Sequence, residues 1–230
     1  MVVNEIFYSL QGEGLLAGVP GVFIRLAGCP LRCNWCDTKY ALDPAAGEDL
    51  SIPAIIDRVE QWRCQYAVIT GGEPMVNPHL PELAAALKKL GKHITIETAG
   101  IKFIEGLDCD LMSISPKLSN SGQKAEKGAA CPERSRRDTF FPREAVRQLI
   151  RHYPYQLKFV VDSPDDLPEI QQAVGQIGDI DPIRIMLMPQ AAIRDELIAK
   201  SPMVAELCKN TGFSFCNRLQ ILLWNNKRGT

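Results

Sequence analysis

Three cysteines stand within eight residues, in Cys29-Pro-Leu-Arg-Cys33-Asn-Trp-Cys36. Thiolates at this spacing can wrap one face of an iron–sulfur cube. No fourth cysteine is near. A cubane with three protein ligands leaves one iron open to a small molecule, whereas four-cysteine frames leave none. The other reading is a structural zinc site completed by a distant fourth ligand. Cys64, Cys109, Cys131, Cys208 and Cys216 are scattered and read as small packed hydrophobes of a reducing compartment. A second candidate is Thr70-Gly71-Gly72-Glu73-Pro74, which ends an apolar run 35 residues past Cys36, counted to Gly71. A third is Arg25, set within the apolar run 22–27. A buried arginine needs an anionic partner, and an internal ion pair is the simplest one.

The rest of the chain must position these groups. It has 230 residues, enough for one domain or a tight pair with a sizeable core. It is 46% hydrophobic and 23% charged, which excludes wholesale disorder. The 26 basic and 27 acidic residues give a net charge of -1, unlike a general nucleic-acid binder. Residues 1–5 lack the basic start and apolar core of a secretory signal. The longest charge-free run, between Glu13 and Arg25, has 11 residues and cannot span a bilayer. A cytoplasmic protein with no membrane contact is expected.

Short apolar runs alternate with amphipathic ones. Strands are expected over 22–27, 67–70, 94–98, 111–115, 157–161 and 183–188. Ser51 caps a helix through Ile52, Ile55, Ile56, Val59 and Trp62, and Pro81 opens another, closed by Gly91. Pro142 opens a third, and a fourth runs through Leu167, Ile170, Val174 and Ile177. A helical stretch after residue 188 is expected to break near Pro202. Alternation of this kind implies a parallel sheet with covering helices. Six units predict a partial β/α barrel, α/β in class, in one domain over 1–230, with its site at the carboxyl ends of the strands. Residues 119–138 are nearly free of apolar side chains and read as a solvated insertion. His79, His93 and His152 read as surface residues.

The CxxxCxxC after the first barrel strand resembles the radical S-adenosylmethionine (SAM) superfamily, and Gly71–Pro74 resembles its GGEP motif. The resemblance implies a [4Fe–4S] cluster on Cys29, Cys33 and Cys36. Its open iron would take the amino and carboxylate groups of SAM, and SAM would be cleaved to a 5′-deoxyadenosyl radical. The GGEP glycines would let backbone carbonyls approach the SAM amine, with Glu73 adding charge and anchoring the turn. More finely, the chain resembles the 7-carboxy-7-deazaguanine synthase family. Residues 6–14 (IFYSLQGEG), 23–29 (FIRLAGC), 36–38 (CDT), 113–117 (SISPK) and 219–227 (LQILLWNNK) carry the likeness. It covers most of 1–118 and, more loosely, 155–230.

That resemblance implies a lyase that turns 6-carboxy-5,6,7,8-tetrahydropterin into 7-carboxy-7-deazaguanine with loss of ammonia, on the way to 7-deazapurines such as queuosine. Leu10, Gln11, Gly12, Glu13, Arg25 and Thr70 would bind the substrate, with Arg25 as a fork on its carboxylate. Trp35, Cys36, Asp37, Gly72, Glu73, Ser115, Pro116, Lys117 and Gln190 would contact SAM. Thr38 would ligate Mg²⁺, although on its own it reads as a capping threonine. A homodimer is implied, with an electron donor such as flavodoxin or ferredoxin and no direct nucleic-acid partner. The nearest rival is an activase that takes a glycyl hydrogen from a partner protein. Arg25, the Gln11–Glu13 loop and Thr38 suit a small carboxylated heterocycle better. A zinc-stabilised nucleic-acid module is the rival from another class, and the neutral charge speaks against it.

Overall fold

Side-chain alternation explains most of the architecture. In the strands of a sheet, successive side chains point to opposite faces. Here one face carries Ile24, Ile69, Ile94, Ile96, Ile114, Leu157, Phe159 and Leu187, all fully buried. The alternate positions carry Arg25, Thr70, Glu97 and Lys158, which line a cavity on the inner side. The apolar set packs under helices, and the polar set faces the site.

The computed structural model describes residues 1–122, 141–225 and 227–230. The strands are β1 (Val2–Leu10), β2 (Pro20–Leu26), β3 (Glu48–Asp49), β4 (Tyr66–Gly71), β5 (His93–Thr98), β6 (Leu111–Ile114), β7 (Tyr155–Val161), β8 (Ile185–Pro189) and β9 (Ser214–Phe215). The helices are α1 (Ile52–Val59), α2 (Leu80–Lys89), α3 (Arg143–His152), α4 (Leu167–Ile177), α5 (Arg194–Thr211) and α6 (Leu219–Trp224). One sheet runs in the order β3-β1-β2-β4-β5-β6-β7-β8-β9. All neighbours from β2 to β9 are parallel, and β1 is antiparallel to both β2 and β3. Among the described residues β3 and β9 are free edges, so the sheet is a partial barrel. This is the α/β architecture expected.

The six expected strands are present as β2 and β4 to β8. Three more were not anticipated. β3 and β9 are two residues each, too short to leave a pattern. β1 spans nine residues and opens the sheet. Its Asn4 and Glu5 interrupt the apolar alternation because they serve the site.

The helices bury their apolar stripes on the outer face, as with Ile55 and Val59 of α1 and Leu80, Leu83, Ala84 and Leu87 of α2. The Ser51 hydroxyl accepts from the Ala54 amide at 3.3 Å, so the expected cap is in place. α5 differs from expectation, because its 18 residues run straight through Pro202. Pro202 is exposed. The carbonyl its ring leaves unbonded, four residues back at exposed Ile198, can face water instead. His93 also differs: it is half-buried at the start of β5, with its ring 5.0 Å from that of Tyr66.

Most of the 119–138 insertion lies outside the described residues. Its first four residues do not behave as an insertion. Asn34 donates its amide to the Ser121 carbonyl at 2.9 Å, and Ser119 bonds Glu169. They belong to the packing around the cysteine loop.

Candidate active site

The inner face of the sheet and the loops beyond its carboxyl ends enclose a cavity of about 680 Å³. Of the residues expected in the site, all line it except Pro116. Pro116 lies between Ser115 and Lys117, both of which do reach the cavity. Lys117 donates to the Ser115 hydroxyl at 2.9 Å and lies 5.3 Å above the Trp35 ring. Burial pushes its pKa down from the usual lysine range.

The cysteine loop leaves the end of β2. Gly28 and Cys29 donate their amides to Ala41 and Leu42, which ties the loop to the turn at Lys39–Ala41. Trp35 donates its indole N–H to the Asn120 carbonyl at 2.9 Å and packs on Val160, Met186, Met188 and Cys216. It is therefore a packing residue as well as part of the wall. Burial is the main reason the Cys29 thiol is pushed up to about 11, and neighbouring Glu73, Cys33 and Cys36 add to the rise.

The GGEP turn follows β4 and closes against that loop. Gly72 and Glu73 donate their amides to the carbonyls of Leu26 and Gly28. A Cβ on Gly72 would sit 2.1 Å from the Gly28 oxygen, and one on Gly71 would sit 2.2 Å from that of Leu26. This backbone contact by itself requires glycine at both positions. Glu73 does anchor the turn. Its carboxyl accepts from the Thr98 hydroxyl at 2.6 Å and the Ala99 amide at 2.7 Å, joining the end of β4 to the end of β5. Burial still pushes its pKa up against those donors.

Glu13, expected to bind the substrate, is already heavily engaged. Lys158 donates to it at 2.8 Å, Arg218 at 3.2 Å and Gln220 at 2.8 Å. Burial would raise its pKa, but Lys158 and Arg218 outweigh that and hold the carboxylate far below its usual range. Lys158 also donates to Glu97 at 2.9 Å, and Gln11 reaches Glu97 at 3.1 Å. Arg218 bridges onward to Asp37, on the exit of the cysteine loop. Gln190 accepts from Lys200 at 2.6 Å. Glu97, Lys158, Arg218 and Gln220 were not singled out from the sequence. For two of them a signal existed, since Glu97 and Lys158, like Arg25, are charges placed inside apolar strand runs.

Arg25 has the internal partner that its setting required. The antiparallel register puts Glu5 of β1 directly opposite Arg25 of β2, and the Arg25 Nε donates to Glu5 at 2.7 Å. This leaves the guanidinium fork. Among the described residues the two terminal nitrogens of Arg25 have no hydrogen-bond partner, and the side chain lines the cavity. Glu5 thus aims the fork rather than consuming it.

Among the described residues no three His, Cys, Asp or Glu side chains converge as ligands of a single ion. A cubane asks for no such convergence, since each thiolate takes a different iron. Cys29, Cys33 and Cys36 stand on the cavity wall, and none of them is in a disulfide. No fourth cysteine among the described residues lines the cavity, which suits a cluster with one open iron.

A family model described as the Radical SAM superfamily matches residues 23–120. The chain is 39% identical to the 7-carboxy-7-deazaguanine synthase of Rhodopirellula baltica, over 100% of this chain and 89% of that protein. This chain belongs to the 7-carboxy-7-deazaguanine synthase family. As a member of that family it is a radical SAM enzyme that works with a [4Fe–4S] cluster and SAM. The synthase of Halobacterium salinarum is 38% identical over 97% of this chain and 90% of that one. The crystal structure of QueE from Escherichia coli superposes with a TM-score of 0.67 at 26% identity, covering 94% of this chain and 92% of that one. The partial barrel of this radical SAM enzyme is therefore the fold of its solved relative. Among the described residues no helix is long and apolar enough to cross a membrane.

Proposed function

We propose that this chain converts 6-carboxy-5,6,7,8-tetrahydropterin to 7-carboxy-7-deazaguanine with release of ammonia. The observation that carries the reading is that the free fork of Arg25 and the three loop thiols face one cavity, in a chain related over its full length to synthases of that product. When bound, the cluster and SAM supply a carbon radical that can take a hydrogen atom from a substrate. The chain's own task is to bind, orient and exclude water. Cys29, Cys33 and Cys36 would hold the cluster. Trp35, Asp37, Gly72, Glu73, Ser115, Lys117 and Gln190 would surround SAM, with Pro116 between Ser115 and Lys117. Leu10, Gln11, Gly12, Glu13, Arg25 and Thr70 would surround the pterin, with Glu97 beside them. The direct test is anaerobic reconstitution with iron and sulfide, followed by SAM, dithionite and the carboxylated pterin. A mass signal for the deazapurine supports the reading, and SAM cleavage without that product sinks it.

Arg25 gives a sharper test. Losing one partner of a desolvated charge pair costs about 2–5 kcal/mol. Arg25→Ala is expected to raise KM for the carboxylated pterin strongly while SAM binding holds. Equal loss of both, with a melted circular dichroism spectrum, would make Arg25 a purely structural partner of Glu5.

Thr38 is the proposed Mg²⁺ ligand. It stands at the cap position of the Lys39–Ala41 turn, yet its side chain makes no capping hydrogen bond. Among the described residues its hydroxyl has one polar neighbour, the Cys36 sulfur at 3.7 Å. The hydroxyl is thus available in the cavity, and Mg²⁺ accepts one protein oxygen alongside substrate oxygens and water. Turnover should rise with added Mg²⁺, and Thr38→Ala should lose that rise while still cleaving SAM. Unchanged Mg²⁺ dependence in Thr38→Ala removes it from the metal shell.

We read 1–230 as one domain in the cytoplasm, where the seven cysteines described, none in a disulfide, stay reduced. The electron would come from a flavodoxin or ferredoxin. A second copy of the chain would cover the shallow apolar hollow lined by Ile198, Pro202, Phe215 and Leu222 at the β9 edge. Solution mass measurement checks that dimer.

A further inference from the structure

Glu5 is shared by two arginines. Arg25 donates to its Oε1 at 2.7 Å, and Arg228, from the last residues of the chain, donates to its Oε2 at 3.0 Å. Tyr40 completes the group. Its hydroxyl donates to Glu5 at 2.9 Å, and its ring lies 5.9 Å from the Arg25 guanidinium and 4.2 Å from that of Arg228. Arg228 is further fixed by a bond from Nη2 to the Asn4 side chain at 2.8 Å. Both arginines and Tyr40 line the cavity; Glu5 does not.

The charge of this group does not balance. Two guanidiniums grip the two oxygens of one carboxylate, so they lie close together with a single negative charge between them. Glu5 stays ionised, because Arg25 and the other donors outweigh the burial that would raise its pKa. Tyr40 stays a neutral donor, its phenol pushed up to about 12 chiefly by burial. One positive charge is left over, and it faces the cavity rather than the protein interior. Anions bind where fixed cations converge and their own counter-ion is spent.

We propose that Arg228 is a second carboxylate-binding residue, which forms with Arg25 a two-arginine site for the substrate's carboxylate. Glu5 and Tyr40 hold the two guanidiniums in place. The inference rests on the reading that the substrate is a carboxylated heterocycle. It assigns to the terminal segment a specificity role, selecting carboxylated over uncarboxylated rings.

The test is binding by the cluster-reconstituted, SAM-loaded enzyme, followed by fluorescence, with 6-carboxypterin and pterin as probes. They share the ring system and differ in the carboxylate. Arg228 is about half exposed, so the effect of its removal is modest. Arg228→Ala is expected to weaken 6-carboxypterin about fivefold and leave pterin unchanged. Arg228→Lys, which keeps the charge without the fork, should fall between Arg228→Ala and the parent enzyme. Equal weakening of both probes would mean that Arg228 merely docks the terminal segment, and would overturn the proposal. No change with either probe would overturn it as well. The underlying reading fails in a separate way: parent enzyme that binds both probes equally well does not select a carboxylate at all, and the proposal then falls with it.

Discussion

Cys29→Ala enzyme, reconstituted with iron and sulfide, is expected to emerge colourless and unable to cleave SAM. The three thiols reach the cavity from one loop, which is clamped at both sides. Gly28 and Cys29 are bonded to the turn at Lys39–Ala41, and Asn34 and Trp35 to residues 120–121. A rigid loop of this kind cannot slide a substitute donor into place. Nor does another cysteine among the described residues line the cavity to rescue the cluster. Loss should be complete, and Cys33→Ala and Cys36→Ala should match it. Cys64→Ala and Cys109→Ala, away from the cavity, should keep both colour and cleavage. Retained brown absorbance and SAM cleavage in Cys29→Ala would show that the loop does not hold the cluster. Cys131 lies outside the described residues.

Replacing Lys158 should do the most damage to stability. Its side chain is only 2% exposed and pairs with both Glu13 and Glu97. Lys158→Met leaves Glu97 without its cation and Glu13 with Arg218 alone, a change that costs about 3–5 kcal/mol. In a domain of this size each kcal/mol moves the melting temperature by about 2–4 °C, so a large drop should appear by calorimetry. Adding Glu13→Gln and Glu97→Gln to Lys158→Met removes the stranded charges and should recover much of the loss. If Lys158→Met alone melts like the parent, the network does not hold the inner face together.

The same network predicts a pH signature. Glu13 titrates far below its ordinary value of 4.5 in the folded state. Its stabilising contribution is therefore full above about pH 4.5 and drains away as the pH falls toward the folded value. Lys158 is raised above its ordinary 10.5, because Glu13 and Glu97 outweigh its burial. Its contribution is full below about pH 10.5 and is lost as the pH rises through the folded value. Lys158→Met should flatten both limbs of the stability profile.

The parallel core was legible because its strands are nearly continuous apolar runs, the pattern left when both faces of a strand are buried. β1 was not, since Asn4 and Glu5 interrupt its apolar alternation. β9 and β3 are too short to show a period. The site divided in a similar way. Cysteine spacing and GGEP are local patterns, so both were readable. The ionic network is assembled by register and distance along the chain. Glu5 meets Arg25 only because β1 lies antiparallel to β2, and Arg218 reaches Glu13 across 205 residues. Charges inside apolar strands were the one available hint. It pointed to Arg25 and, applied consistently, would have pointed to Glu97 and Lys158.

Synthesis order gives the long-range pairs a further meaning. Glu13 finds Arg218 after 205 residues, and Glu5 finds Arg228 after 223. At 5–20 residues per second, a ribosome delivers the first carboxylates roughly 10–40 s before the cations that answer them. The cysteine loop and its parallel strands emerge during that interval. A growing chain therefore exposes its thiols on a pocket whose far wall has not yet been made. Residues that emerge late latch it, by pairing with residues that emerge early.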